Sequence, residues 1–293
     1  MATPIHQRYC VLTGGSAGLG LATALELARR GMHVTGVCRN LAGAKQLLKH
    51  AVEEGVGDRV VAEIADLSRI SQVRSLALRL RRRMHRLDIL INNAGVVMPE
   101  PTLTCEGVET TFAVNYLSHF LLSHELLDLL CSGPARVINI VDDRHREPIL
   151  PLHACQSPEG YDWARAYNRA MFAKTAFSLE LARRLTGDGV TVHALHPGTV
   201  KTELFRRLGP LERGKMQLTG IPPRLAAAHV VAMAVNERFA GVTGEYYRRG
   251  SPAEPAALAT RREAVQHLWE LSERLCAPPE RSAAQPLQTA AYG

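Results

Sequence analysis

No apolar run in the chain approaches the ~20 residues that a membrane-spanning helix requires, so no membrane span is expected. There is no C-x-x-C pair either. The 6 cysteines, Cys10, Cys38, Cys105, Cys131, Cys155 and Cys276, are scattered, and most sit in apolar segments. They read as reduced core thiols of a cytoplasmic protein, with no metal site expected. Little precedes the first strand-like segment, so no signal peptide is expected. The formal net charge is +7, yet no aromatic-interleaved basic surface or nucleic-acid-reading motif accompanies it. The densest basic run, RLRRRMHR at 79–86, reads as the solvated face of a helix. The positive field still favours a phosphorylated cofactor or an anionic substrate.

Against these absences, 46% of the 293 residues are hydrophobic, enough for one large α/β unit. Short β-branched runs alternate with amphipathic helical patterns. Strands are expected at 9–13, 33–39, 59–67, 87–95, 136–141 and 190–198, with 244–250 adding an edge strand. A helix is expected from 105 to 131 behind Thr104 as N-cap, another at 166–185, another at 224–238 and a last one at 255–276. The pattern predicts a single doubly wound, mostly parallel Rossmann-type sheet of about seven strands, helices on both faces, over residues 1–277. A flexible, Pro-, Ala- and Gln-rich tail follows at 278–293.

The first β-to-α turn runs Thr13-Gly14-Gly15-Ser16-Ala17-Gly18-Leu19-Gly20. Glycines there let the backbone turn tightly and approach a pyrophosphate, which the helix N-terminus then meets with free N–H groups. Asn92-Asn93-Ala94-Gly95 follows the fourth strand, Asn115 falls in the next helix, Tyr167 opens the helix at 166–185, and Pro197-Gly198 follows the sixth strand. In this order the motifs resemble the short-chain dehydrogenase/reductase family over about residues 8–250. The wording TCEGVETTFAVNYLSHFLL is similar to the retinol-dehydrogenase-like branch.

The resemblance implies an NADP(H)- or NAD(H)-binding oxidoreductase. It assigns the phosphates to Thr13, Gly14, Ser16, Gly18, Leu19 and Gly20. Asp66 and Leu67 would meet the adenine. Asn93, Ala94 and Gly95 would line the adenosine side, and Pro197, Gly198, Val200 and Thr202 the nicotinamide side. After the second strand stand Arg39 and Asn40, with no acid nearby. A guanidinium there suits the 2′-phosphate of NADP(H).

The family's catalytic set is Asn, Ser, Tyr and Lys. Asn115 and Tyr167 match. The serine position holds Asp142, and the lysine position, one turn after Tyr167, holds Met171. His145 falls where the retinol-like branch often carries a histidine. Without a nearby cation a tyrosine stays near its ordinary pKa of ~10, and a carboxylate beside it raises that further. Tyr167 is then a poor base but an able acid, so reduction is favoured over oxidation. Lys174 lies a further turn on, about 10 Å along the helix axis from Tyr167 at 1.5 Å per residue. It reaches the site only in part, or is tied elsewhere. Asp142 and Asp143 also admit a structural reading, as acids capping a turn.

Three readings stay open: an NADP(H)-dependent reductase of a carbonyl or hydroxyl on an apolar small molecule, a non-redox isomerase, dehydratase or cyclase using Asp142 and Tyr167, and a catalytically silent NADP(H)-sensing protein. Residues 204–223 are expected to form a lid over the substrate. No nucleic-acid partner is expected, and the sequence leaves a homo-oligomer open.

Overall fold

The computed structural model describes residues 4–146, 155–156, 159–201, 203–210, 214, 218 and 220–278. Its centre is one eight-stranded sheet in the order β3-β2-β1-β4-β5-β6-β7-β8. β1 (Tyr9–Thr13), β2 (His33–Cys38), β3 (Val60–Ile64), β4 (Ile89–Asn92), β5 (Ala135–Ile140), β6 (Val190–His196) and β7 (Glu245–Arg248) run parallel. β8 (Ser251–Ala253) returns antiparallel to β7 and forms the outer edge. The strand expected over 244–250 is β7 followed by a tight turn, and the outer edge, β8, lies just beyond that range. Arg249 and Gly250 in that turn have φ of 51° and 82°.

Strand residues alternate between the faces, so each strand feeds two cores. Val11 faces one core, with Phe112, Tyr116, Phe177 and Trp269. Cys10 and Leu12 face the other, with Leu25, Leu47 and Val230. The first core is covered by α3 (Ile70–Arg83), the helical run α4 (Thr110–Phe112), α5 (Ser118–Glu125) and α6 (Leu127–Leu130), then α7 (Trp163–Arg184) and α9 (Arg262–Cys276). The second is covered by α1 (Gly18–Arg29), α2 (Leu41–Glu53) and α8 (Pro223–Val235). Among the described residues no helix is long and apolar enough to cross a membrane.

The helix expected from 105 starts later, at Thr110. Glu109 caps it, accepting from the amides of Thr111 at 2.6 Å and Phe112 at 2.9 Å. Thr104 instead accepts from the amides of Glu106 and Val108 in a turn. Gly107, with φ 74°, cannot continue a right-handed helix in that conformation. The basic run of α3 is largely paired. Arg79 and Arg83 both reach Glu63, at 2.9 and 2.6 Å, and Arg81 reaches Asp128 at 2.8 Å. Of the proposed lid, 211–213, 215–217 and 219 lie outside the described residues, as does the tail from 279. The last helix is shorter than 255–276: a 3-10 turn, Ala257–Thr260, precedes α9.

Candidate active site

Strand order turns back between β1 and β4, where open α/β sheets hold ligands at the carboxyl ends of their strands. A cavity of about 790 Å³ lies there. Gly14 and Gly18 in its first wall have φ of 75° and 54°, and a Cβ on Gly20 would stand 2.1 Å from the Gly14 carbonyl oxygen. Only glycine keeps this loop closed. No side chain caps α1, which leaves first-turn N–H groups and the positive helix end for a ligand. Gly14, Ser16, Gly18, Leu19 and Gly20 line the cavity. This donor set fits a phosphate-bearing anion.

Thr13 does not line the cavity but ties its floor. Its hydroxyl oxygen accepts from the amides of Asn93 at 2.9 Å and Ala94 at 3.0 Å, and meets His119 Nε2 at 3.0 Å. His119 Nδ1 lies 3.1 Å from the Asn115 carbonyl, which can only accept. Burial first, and Lys174 second, push the His119 pKa well down. The ring is therefore neutral with its proton on Nδ1, and Nε2 accepts from the Thr13 hydroxyl. Asn93 Nδ2 adds a 2.8 Å bond to the Thr13 carbonyl. β1, β4 and the helix of Asn115 are thus locked through one threonine.

Of the remaining expected cofactor residues, Arg39, Asp66, Leu67, Asn93, Ala94, Gly95, Pro197, Gly198 and Val200 line the cavity. The Arg39 side chain is 61% exposed, with Nε 3.9 Å from Asp66, a tether weak enough to yield to a ligand. Asn40 does not line the cavity. Its side chain caps α2, accepting from the Gly43 amide at 3.0 Å. Thr202 lies outside the described residues.

Asn115, Asp142 and Tyr167 share the other wall. Asn115 sits in a π-helical turn, Ala113–Leu117, a widening frequent at functional sites. Its side chain accepts from the Val96 amide at 2.7 Å and donates to the Val96 carbonyl at 2.9 Å. Tyr167 is buried under the ring of Phe205, 5.9 Å away centre to centre. Burial, and next the charge of Asp142, raise its pKa well above 10, and Arg144 opposes this only in part. Asp142 Oδ1 accepts from the Arg144 amide at 3.0 Å.

The neighbouring acid does different work. Asp143 receives the Tyr246 hydroxyl at 2.5 Å and Arg248 at 2.8 Å. It fastens the end of β5 to β7. His145 is not brought to the cavity. It is buried, with Nδ1 2.9 Å from the Asp142 carbonyl, and its Nε2 has no hydrogen-bond partner among the described residues. Burial lowers its pKa, so the ring is neutral and Nδ1 donates to that carbonyl. The family's lysine position is apolar, since Met171 lines the wall. Lys174, from the next turn, also lines the cavity and donates to the Asn92 carbonyl at 2.7 Å.

Sequence reasoning missed His119, whose signal was its place one turn after Asn115. It also missed the substrate-side wall of Met98, Thr102, Leu103 and Val114, which only the closure of the sheet brings together.

The model of the short chain dehydrogenase family matches residues 8–212. The chain belongs to that family, an oxidoreductase family. It is 37% identical over 285 residues to human retinol dehydrogenase 13, covering 92% of this chain and 85% of that protein. It is 33% identical to human retinol dehydrogenase 14, covering 92% and 86%. Among solved structures, an uncharacterized protein from Mycobacterium paratuberculosis is 27% identical with a TM-score of 0.74, covering 92% of this chain and 93% of that one. The NADP complex of RhlG from Pseudomonas aeruginosa is 26% identical with a TM-score of 0.67, covering 84% and 97%.

Proposed function

We propose that the protein is an NADP(H)-dependent reductase of a carbonyl group on an apolar small molecule, with Tyr167 as a neutral proton donor. One observation carries this reading. The glycine loop, Arg39 and a phenol whose pKa burial and Asp142 raise share one cavity. The cofactor, when bound, supplies the hydride that the carbonyl carbon receives. The α1 N-terminus holds phosphate, and Arg39 offers a bidentate fork to a 2′-phosphate. Met98, Leu103, Val114, Leu204 and Phe205 give the substrate end an apolar lining and exclude water from it. Tyr167 donates its proton to the oxygen on which charge develops. Asp142, when ionised, disfavours the phenolate, so oxidation with Tyr167 as base is the weaker direction. The relatives are named retinol dehydrogenases, which makes retinal a first aldehyde to try.

Titration calorimetry with NADPH and NADH checks the cofactor. NADPH should bind at least ~10-fold more tightly, a difference of about 1.4 kcal/mol, and Arg39→Ala should remove most of that preference. Equal affinities would sink the assignment.

A second reading is favoured by the electrostatic coupling of Asp142 to Tyr167. A base and an acid facing one cavity can move a proton across a substrate without net oxidation. Deuterated NADPH separates the two. Label on the product's carbinol carbon supports reduction, whereas isomerised or dehydrated product with the label still on the cofactor supports the acid–base pair.

A further inference from the structure

Lys174 is 1% exposed, in the middle of α7. Among the described residues its amine makes one hydrogen bond, to the Asn92 carbonyl at 2.7 Å. Asn92 is the last residue of β4, paired with Asn139 of β5, and it immediately precedes the loop of Asn93 to Gly95. The amine therefore sits at the carboxyl end of the sheet, on the cavity wall. Of the polar atoms near it, Asn92 Oδ1 and Asn139 Nδ2 are buried without a hydrogen-bond partner among the described residues. The Asn92 amide donates to Ser123 and Asn139, and the Thr13 hydroxyl oxygen is taken up as described.

The titratable groups facing this corner are few. His119 comes from α5 and is neutral. Tyr167 stands on the same helix. Asp142 and Arg144 stand beyond β5 on the same cavity wall. None of these charges offsets the burial of Lys174, which pushes its pKa well below 10.5. A lysine has three donors and this one uses a single acceptor, so the cavity is the side from which a further acceptor can come. A buried amine without an anion is a costly feature for structure alone. An anion arriving in the cavity would reverse that cost, because attraction in a dry site is strong and favours the charged form.

We propose that Lys174 is a cofactor-binding residue that takes up a proton from solvent when an anionic dinucleotide enters the cavity. It offers the dinucleotide, from one turn further along α7, a positive charge that Met171 cannot. This rests on the cofactor reading above.

The test is titration calorimetry with NADPH near pH 8 in two buffers of different ionisation enthalpy. Near that pH neither the 2′-phosphate nor His119 takes up protons, so the difference reports the amine. Wild-type protein should take up a substantial fraction of one proton per NADPH bound. Lys174→Met should abolish the uptake and weaken binding by ~10-fold or more. Lys174→Gln keeps a donor for the Asn92 carbonyl but cannot titrate. It should fold with a thermal midpoint near wild type, bind weakly and take up nothing. Wild-type binding without uptake, or uptake that survives in either variant, overturns this proposal while leaving the cofactor reading in place. A wild-type protein that binds no dinucleotide overturns both.

Discussion

At the catalytic wall two side chains decide the direction of chemistry. Tyr167 is held protonated by burial and by Asp142. Its loss of the proton therefore lies above pH ~10, and the reductive rate should show no decline from this group through about pH 9. Tyr167→Phe should lower reduction by ~10²- to 10⁴-fold and leave NADPH affinity nearly unchanged. A decline near neutral pH that disappears in Tyr167→Phe would show that a cation has lowered the phenol after all. Met171 and Asp142 act as one altered unit. Met171→Lys alone should give little oxidation of secondary alcohols, because Asp142 still repels a phenolate. Asp142→Ser with Met171→Lys should exceed the sum of the single changes, as coupled neighbours do. NADP⁺ reduction across an alcohol panel measures this, and a Met171→Lys single variant equal to the double would refute the coupling.

Among the elements, the tie between β1, β4 and the π turn is the most exposed to a single change. Thr13→Val keeps the shape but leaves the amides of Asn93 and Ala94 and the Nε2 of His119 without their partner. Unsatisfied buried groups cost about 1–3 kcal/mol each. Thr13→Val should therefore lower stability by at least ~1 kcal/mol, read by urea unfolding, and weaken NADPH binding through the displaced Asn93 loop. An unchanged denaturation midpoint would remove the tie from the account. The order of strands and helices was legible in the sequence because apolar period and glycine-rich turns are local signals. So was the first loop. The start of the helix before Asn115 was not, because Thr104 and Glu109 are both plausible caps, and the left-handed Gly107 chooses between them only in three dimensions. Asn40 was read as a ligand for a similar reason: a polar residue at a strand end can face the cavity or cap the next helix. His119 and Lys174 owe their roles to contacts across 106 and 82 residues of chain, between α5 and β1 and between α7 and β4, and no local pattern announces those partners.

The whole molecule carries an acid sensitivity. His193 is buried with neither ring nitrogen hydrogen-bonded among the described residues, and burial, then Arg136, lower its pKa to about 4. His119 is lowered likewise. A histidine whose folded pKa lies below the unfolded value of ~6.5 contributes fully above that value. Its contribution is lost as pH falls from there toward the folded pKa, because the unfolded chain binds the proton more readily. Stability should thus fall between about pH 6.5 and pH 4, by up to about 3 kcal/mol from His193. Denaturation midpoints across that range measure it, and His193→Gln should flatten the slope; an unchanged slope in that variant would clear His193. The far edge of the sheet has a different consequence. In a two-residue hairpin the pair flanking the turn, Arg248 and Ser251, exchanges hydrogen bonds, so the next residue, Pro252, opposite Tyr247, turns its backbone outward. Proline has no amide hydrogen to offer there. The sheet stops at β8 as a growing polymer stops at a unit with no second reactive group, and a ninth strand from another chain would find no donor to join.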